Sequence, residues 1–305
     1  MEENNIMSEN SCGGCVKAYL ESASRAIREL PIEQGRKVAG TYTYEGITGA
    51  KMHNEVEIEL MARSKLLRYF GEKGYLVGIY YKGECFGERR SPDVIGILDL
   101  DGIDGYLGSK DIPLTLELGL LTRNGKLIGE GISKVNDKVI YITYSDFSAK
   151  YEQGYHRDII EPNNKKKSLE DIKIIGPDYT GYKPERQESI DKAFGNFKKN
   201  LGSVGIYKTA GPRYAIAIIE GKMDAYLTTR EPLSKVIITS DILRNAGGQV
   251  LQLFGEPGDY EAKEVSLTGT SLDDLKSNKP GQRGTFLATA TPELAEAILE
   301  VLNRK

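Results

Sequence analysis

The residues with the greatest chemical potential lie in one run, Asp93-Val94-Ile95-Gly96-Ile97-Leu98-Asp99-Leu100-Asp101-Gly102-Ile103-Asp104-Gly105-Tyr106, with Phe86-Gly87-Glu88 shortly before it. Val94 to Leu98 is continuously β-branched and aliphatic, which predicts a buried strand. Such a strand delivers carboxylates at its end. Asp101 and Asp104 flank a turn in which glycines stand on either side of the second acid, where a Cβ would be penalised. Two acids and a backbone carbonyl can then face one point, and Glu88 can add a third carboxylate from the preceding loop. Hard divalent cations such as Mg²⁺ select oxygen donors of this kind in near-octahedral array. The plain alternative is an acidic turn, because Asp-Gly pairs mark turns generally.

Composition narrows the partners. With 41 basic and 44 acidic residues the formal net charge is −3, so there is no broad attraction to a nucleic-acid polymer or an anionic membrane, and an anionic substrate needs a local site. No apolar run approaches the roughly 20 residues that cross a bilayer, and the polar opening Met1 to Ser11 lacks a signal-peptide core. A cytoplasmic location is expected. Cys12-Gly-Gly-Cys15 has no second Cys or His pair at zinc-like spacing, and Cys85 stands alone, so a redox or zinc reading rests on one pair. Neither His53 nor His156 has a catalytic partner nearby in sequence.

The elements that must position the acids follow from periodicity. Val16, Leu20, Ala23, Ile27 and Leu30 share a helical face that Pro31 ends. A Gly-rich polar stretch through Gly49 leads to a second helix from Asn54 to Phe70, whose early acids Glu55, Glu57 and Glu59 suit the positive end of its dipole. Tyr75 to Tyr81 predicts a strand running into the Glu88 loop. Leu114 to Leu121 and Val139 to Tyr144 predict further strands, with Asn124-Gly125 as a hairpin turn. Tyr151 to Ser168, containing Lys165-Lys166-Lys167, reads as a solvated connection. Strands and helices then alternate: Ile172 to Ile175, Ser189 to Leu201, Val204 to Tyr207, Met223 to Leu227, a helix from Val236 to Asn245 that Gly247 can cap, and Val250 to Phe254. Thr285 to Ala290 leads to a last helix with Thr291 as N-cap, Pro292 at its first position, and Leu294, Ile298 and Val301 as its buried stripe. Two halves are expected, 1–165 with the antiparallel sheet and acid motif, and 166–305 as an α/β half.

Asp101-Gly-Ile-Asp104-Gly-Tyr106 resembles the Asp-Pro-x-Asp-Gly-Thr motif of the inositol monophosphatase superfamily, which includes fructose-1,6-bisphosphatases and bisphosphate nucleotidases. Gly87-Glu88 is similar to its Gly-Glu-Glu, Ile112 to Lys134 to the segment after the motif, and Gly221-Lys-Met-Asp-Ala-Tyr226 to Gly-Arg-x-Asp-Ala-Tyr. Ala246-Gly247-Gly248 and Thr289 to Leu294 also fit. The resemblance implies an α+β fold, the layered αβαβα sandwich of that superfamily, with the site between the halves and Tyr214 to Glu220 helical. It implies Mg²⁺ or Mn²⁺ held by Glu88, Asp101, Asp104 and the carbonyl of Ile103, with Gly105 and Tyr106 binding phosphate. Glu55 falls near the acid that helps position water, without the family's Thr; the catalytic set is therefore Glu55, Glu88 and Tyr106. Lys235 stands where the family carries a metal-binding Asp after Trp, and this chain has no Trp. Lys235 is then expected to meet phosphate, Asp241 to stand in as a metal ligand, and Arg213 to bind a further phosphate through its fork. The implied function is hydrolysis of a small phosphomonoester (an inositol phosphate, sugar phosphate or nucleotide bisphosphate) by a homodimer. The alternative is a degenerate member that binds a phosphorylated ligand or partner without turnover.

Overall fold

In the computed structural model, residues 9–30, 38–44, 47–81, 84–101, 114–145, 147–152, 156–161, 213–268 and 283–304 are described, with short pieces at 169, 172, 174–176, 188 and 205–206. Two compact units form, one from residues 1–159 with 268–281 and the other from 160–267 with 282–305, so the division is not a single cut in the chain.

In the first unit, helix α1 (Glu9–Glu29) buries Val16, Tyr19, Leu20, Ala23 and Ile27, and α2 (His53–Gly71) buries Ile58, Ala62, Leu66 and Phe70. Spacings of three and four put each set on one stripe, and the stripes have to be covered. The helices are tied together where the buried Tyr19 hydroxyl donates to the Ala62 carbonyl at 3.0 Å. Helix α1 starts well before Val16, running back through the Cys12 to Cys15 segment, and Cys15 is buried in the core.

Both helices lie on one face of an eight-stranded sheet in the order β10-β9-β8-β7-β6-β5-β3-β4. Its strands are β3 (Val77–Tyr81), β4 (Glu84–Gly87), β5 (Val94–Asp101), β6 (Thr115–Thr122), β7 (Leu127–Lys134), β8 (Val139–Tyr144), β9 (Phe147–Glu152) and β10 (His156–Ile159). Only β3 and β5 run parallel; the other pairs are antiparallel. By alternation, Val94, Leu98 and Leu100 of β5 join the core under the helices, and Ile95, Ile97, Asp99 and Asp101 take the other face. Burial on both faces explains why Val94 to Leu98 reads as an unbroken apolar run. The Asn124-Gly125 turn joins β6 to β7 as expected, with Gly125 at φ 76.

Two expectations change. The stretch before α2 holds an antiparallel hairpin, β1 (Val38–Tyr44) with β2 (Ile47–Met52), whose Thr-Tyr-Thr-Tyr run suits a strand despite the surrounding glycines. The polar connection expected from Tyr151 contains the end of β9 and all of β10.

The second unit is a six-stranded mixed sheet, order β12-β11-β13-β16-β14-β15. These are β11 (Ile174–Gly176), β12 (Gly205–Ile206), β13 (Ala225–Pro232), β14 (Gln249–Phe254), β15 (Glu261–Glu264) and β16 (Arg283–Thr289). Helix α3 (Arg213–Ile219) matches its expected place. The expected helix Val236 to Asn245 is broken into α4 (Leu233–Ile237) and α5 (Ser240–Asn245). At the break the Thr239 hydroxyl donates to the Tyr214 hydroxyl at 2.9 Å, which donates in turn to the Val236 carbonyl at 3.2 Å. Gly247, at φ 89, ends α5 in the left-handed region. Helix α6 (Pro292–Leu302) has the expected cap, Thr291 accepting from the Leu294 N–H at 3.3 Å, and buries Leu294, Ile298 and Val301. The expected helix Ser189 to Leu201 lies outside the described residues.

Candidate active site

The C-terminal end of β5 gathers acids within the first unit. Asp101 is half-buried as the last residue of the strand, Asp99 is buried two positions earlier on the same face, and Glu59 is buried on α2. The Tyr81 hydroxyl feels both Glu59 and Asp99. Burial first, and then those two negative charges, push it well above the usual phenol range, and the nearby Arg63 partly opposes them. Arg63 is one helical turn beyond Glu59. Its Nε donates to the Glu59 carbonyl at 3.3 Å, and its guanidinium lies 4.1 Å from the Phe86 ring centroid and 5.5 Å from that of Tyr81.

Strand direction puts one more acid at this end. Because β3 runs parallel to β5, with Tyr80 opposite Ile97, the chain leaves β3 at the end where Asp101 sits. Glu84 opens β4 there, paired with Tyr81 and exposed. Sequence reasoning passed over Glu84 and Glu59, although both carried signals. Gly83-Glu84 follows the predicted strand after one residue, and Glu59 occupies a place in the apolar stripe of α2 that continues through Ala62, Leu66 and Phe70.

Glu88 lies elsewhere. Its N–H donates to the Val77 carbonyl at 2.8 Å, a Cβ on Gly78 would meet its carbonyl at 2.7 Å, and Val77 pairs with Val94 at the start of β5. Seven residue steps of strand, roughly 23 Å, separate that point from Asp101. The structure therefore does not bring Glu88 to the Asp101 end. Glu84 and Gly87, the latter at φ 73, are the two ends of β4, so Glu84 and Glu88 lie at opposite ends of that strand. Glu88 has local work instead: its Oε1 accepts from the Arg90 N–H at 2.7 Å and the Ser91 N–H at 3.1 Å. Those bonds hold its carboxyl below the usual range.

Ile103, Asp104, Gly105 and Tyr106 lie outside the described residues, as does the side chain of Glu55, whose backbone is in the first turn of α2. In the second unit Arg213 begins α3, and Lys235, half-buried, stands in α4. Asp241 was expected as a substitute metal ligand, but its buried carboxylate has internal partners. Its Oδ1 accepts from the Ser266 hydroxyl at 2.9 Å and pairs with Arg244 at 2.5 Å, and its Oδ2 accepts from the Leu267 N–H at 3.0 Å. It reads as a pin between α5 and the segment after β15. Among the described residues no group of three His, Cys, Asp or Glu side chains is arranged to hold a metal ion, so a divalent site would have to draw on the Asp104 loop. No described helix is long and apolar enough to cross a membrane.

Neither a known family profile nor a curated protein sequence matches this chain. Solved structures do match. The IMPase of Thermotoga maritima superposes with a TM-score of 0.62 at 15% identity, covering 94% of this chain and 95% of that one. A staphylococcal IMPase-II gives 0.64 at 16% identity, with 96% of each chain covered. CysQ of Bacteroides thetaiotaomicron, a bacterial member of the inositol monophosphatase family, gives 0.61 at 17% identity, covering 95% of this chain and all (100%) of that one. The fold is therefore α+β, of the inositol monophosphatase type.

Proposed function

We propose that this chain is a divergent member of the inositol monophosphatase superfamily, a metal-dependent phosphoric monoester hydrolase acting on a small phosphorylated metabolite. The observation that carries the reading is the pair Asp99 and Asp101 at one end of β5, with the Tyr81 hydroxyl feeling both Asp99 and Glu59 of α2, and with Glu84 opening β4 at that end. Asp101 and Asp104, the Ile103 carbonyl and Glu84 in place of Glu88 are the oxygen donors we assign to Mg²⁺ or Mn²⁺. A divalent cation there would lower the pKa of a bound water and neutralise charge building on the leaving oxygen. Glu59 and Asp99 set a negative field around those donors, which raises the affinity for a dication over a monovalent one. Gly105 and Tyr106 would bind the phosphate, and we assign Lys235 and Arg213 to substrate anions. The staphylococcal IMPase-II has been solved with inositol monophosphate and with 2'AMP, which makes a polyol phosphate and a nucleotide the first substrates to try.

One observation favours a second reading. With Lys235 in place of an acid, and Asp241 already engaged by Ser266, Leu267 and Arg244, the chain has fewer anionic donors than the motif suggests. A protein that binds a phosphorylated ligand without turnover fits that deficit. Phosphate release from a panel of phosphomonoesters, compared in Mg²⁺, Mn²⁺ and EDTA, separates the two. Metal-dependent release that EDTA abolishes supports the hydrolase; saturable ligand binding with no release in either metal supports the binder.

A further inference from the structure

The β3–β4 hairpin carries Glu84 at the very edge of its sheet. Strand β4 is four residues long and, among the described residues, is paired only with β3, so backbone hydrogen bonding from these residues restrains it on one side. An edge hairpin of this size is marginal without side-chain support. By the register, Tyr81 faces Glu84 and Ile79 faces Phe86, so Tyr81, Glu84 and Phe86 share one face of the hairpin. Arg63 reaches that face from α2. Its guanidinium stands 4.1 Å from the Phe86 ring centroid and 5.5 Å from that of Tyr81, touching one ring on each strand, while its Nε is anchored on the Glu59 carbonyl at 3.3 Å. One planar cation thus bridges the two strands of the hairpin and the helix that carries Glu59.

We propose that Arg63 is a positioning residue: it clamps the β3–β4 hairpin to α2 and so fixes Glu84 relative to Glu59 and the end of β5. The inference rests on the reading of Glu84 as a donor in the proposed site, but the clamp itself does not require a metal. Contacts of this kind are individually modest, and desolvation strengthens them. That is enough to hold a hairpin in place and too little to decide whether the chain folds. Arg63 is suited to the task because its guanidinium is flat and can lie against two rings, which the compact ammonium of a lysine cannot do equally.

Two measurements on Arg63→Met and Phe86→Leu test this, each on the full chain. The first is amide exchange of β4 in metal-free protein, where both variants should exchange at least about fivefold faster, while amides of β6 and β7 stay unchanged. The second is calorimetric titration with Mn²⁺, where dissociation constants should rise roughly tenfold or more while the melting temperature moves by only a few degrees. Arg63→Lys should fall between these variants and the unmutated protein in both. Unchanged β4 exchange in Arg63→Met overturns the clamp whatever the metal does. Faster exchange with unaltered Mn²⁺ affinity overturns the positioning of Glu84. If the unmutated protein binds no Mn²⁺, the metal-dependent reading fails, and the exchange arm alone decides whether Arg63 holds the hairpin.

Discussion

The two ends of β5 carry similar residues and put them to opposite uses. At the start of the strand, Glu88 and Asp93 spend carboxylate oxygens on backbone N–H groups: Glu88 on Arg90 and Ser91, Asp93 on Leu76 at 2.9 Å. These acids shape turns. At the far end Glu59 and Asp99 are buried, both acting on the Tyr81 hydroxyl, and Asp101 is half-buried as the last residue of the strand. An acid's type and spacing therefore say little until the N–H groups it answers to are known.

The largest expected effect lies at the Asp101 end. Losing a group that merely orients a ligand costs roughly 10–100-fold in metal affinity, so Asp101→Asn should cost at least about a hundredfold in Mn²⁺ affinity and in phosphate release. Calorimetry and a turnover assay check this, with circular dichroism showing that the fold persists. The next effect is on stability, in the second unit. Asp241→Ala strips partners from the Leu267 N–H, Ser266 and Arg244, and should destabilise by about 2–3 kcal/mol in denaturant melts without changing metal stoichiometry. If the stoichiometry fell instead, Asp241 would return to the metal site.

Smaller effects sharpen the contrast. Cys15 is buried in the core on α1, so Cys15→Ser should cost about 1–2 kcal/mol in stability. Turnover should be unaffected, also in the double variant with Cys12→Ser; a loss of metal or activity would move the pair into the site. The smallest effect concerns pH. The folded-state pKa of Glu88 is depressed, so its contribution is present above the unfolded value, about 4.3, and is lost as pH falls through the lower folded value. Glu88→Gln should therefore lower stability slightly near neutrality, and the difference from the unmutated protein should vanish as pH falls through the folded value, which flattens the acid limb.

What could be read from the sequence depended on whether local signals were enough. Helices α1 and α6 were legible because an apolar stripe and, in α6, a Thr291-Pro292 start fix them locally. Strand β5 was legible because burial on both faces leaves an unbroken apolar run. The β1–β2 hairpin was hidden by its glycines, and the break between α4 and α5 depends on Tyr214, a residue far back in the chain. The candidate site was legible in part. Asp101 stands out because the strand points to it, whereas the choice between Glu84 and Glu88 is hidden, because two Gly-Glu pairs stand four residues apart and only the direction of β3 against β5 separates them. Glu59 looked like one acid of a charged helix start, and its burial appears only once α2 meets the sheet.

The exchange of Glu84 for Glu88 is the claim on which the two-ended account stands, and one titration tests it most directly. Mn²⁺ is titrated calorimetrically into the unmutated protein, Glu84→Gln and Glu88→Gln under identical conditions. The account predicts that Glu84→Gln weakens binding by at least about tenfold and that Glu88→Gln binds as the unmutated protein does. Weakened binding in Glu88→Gln with Glu84→Gln unaffected would contradict it.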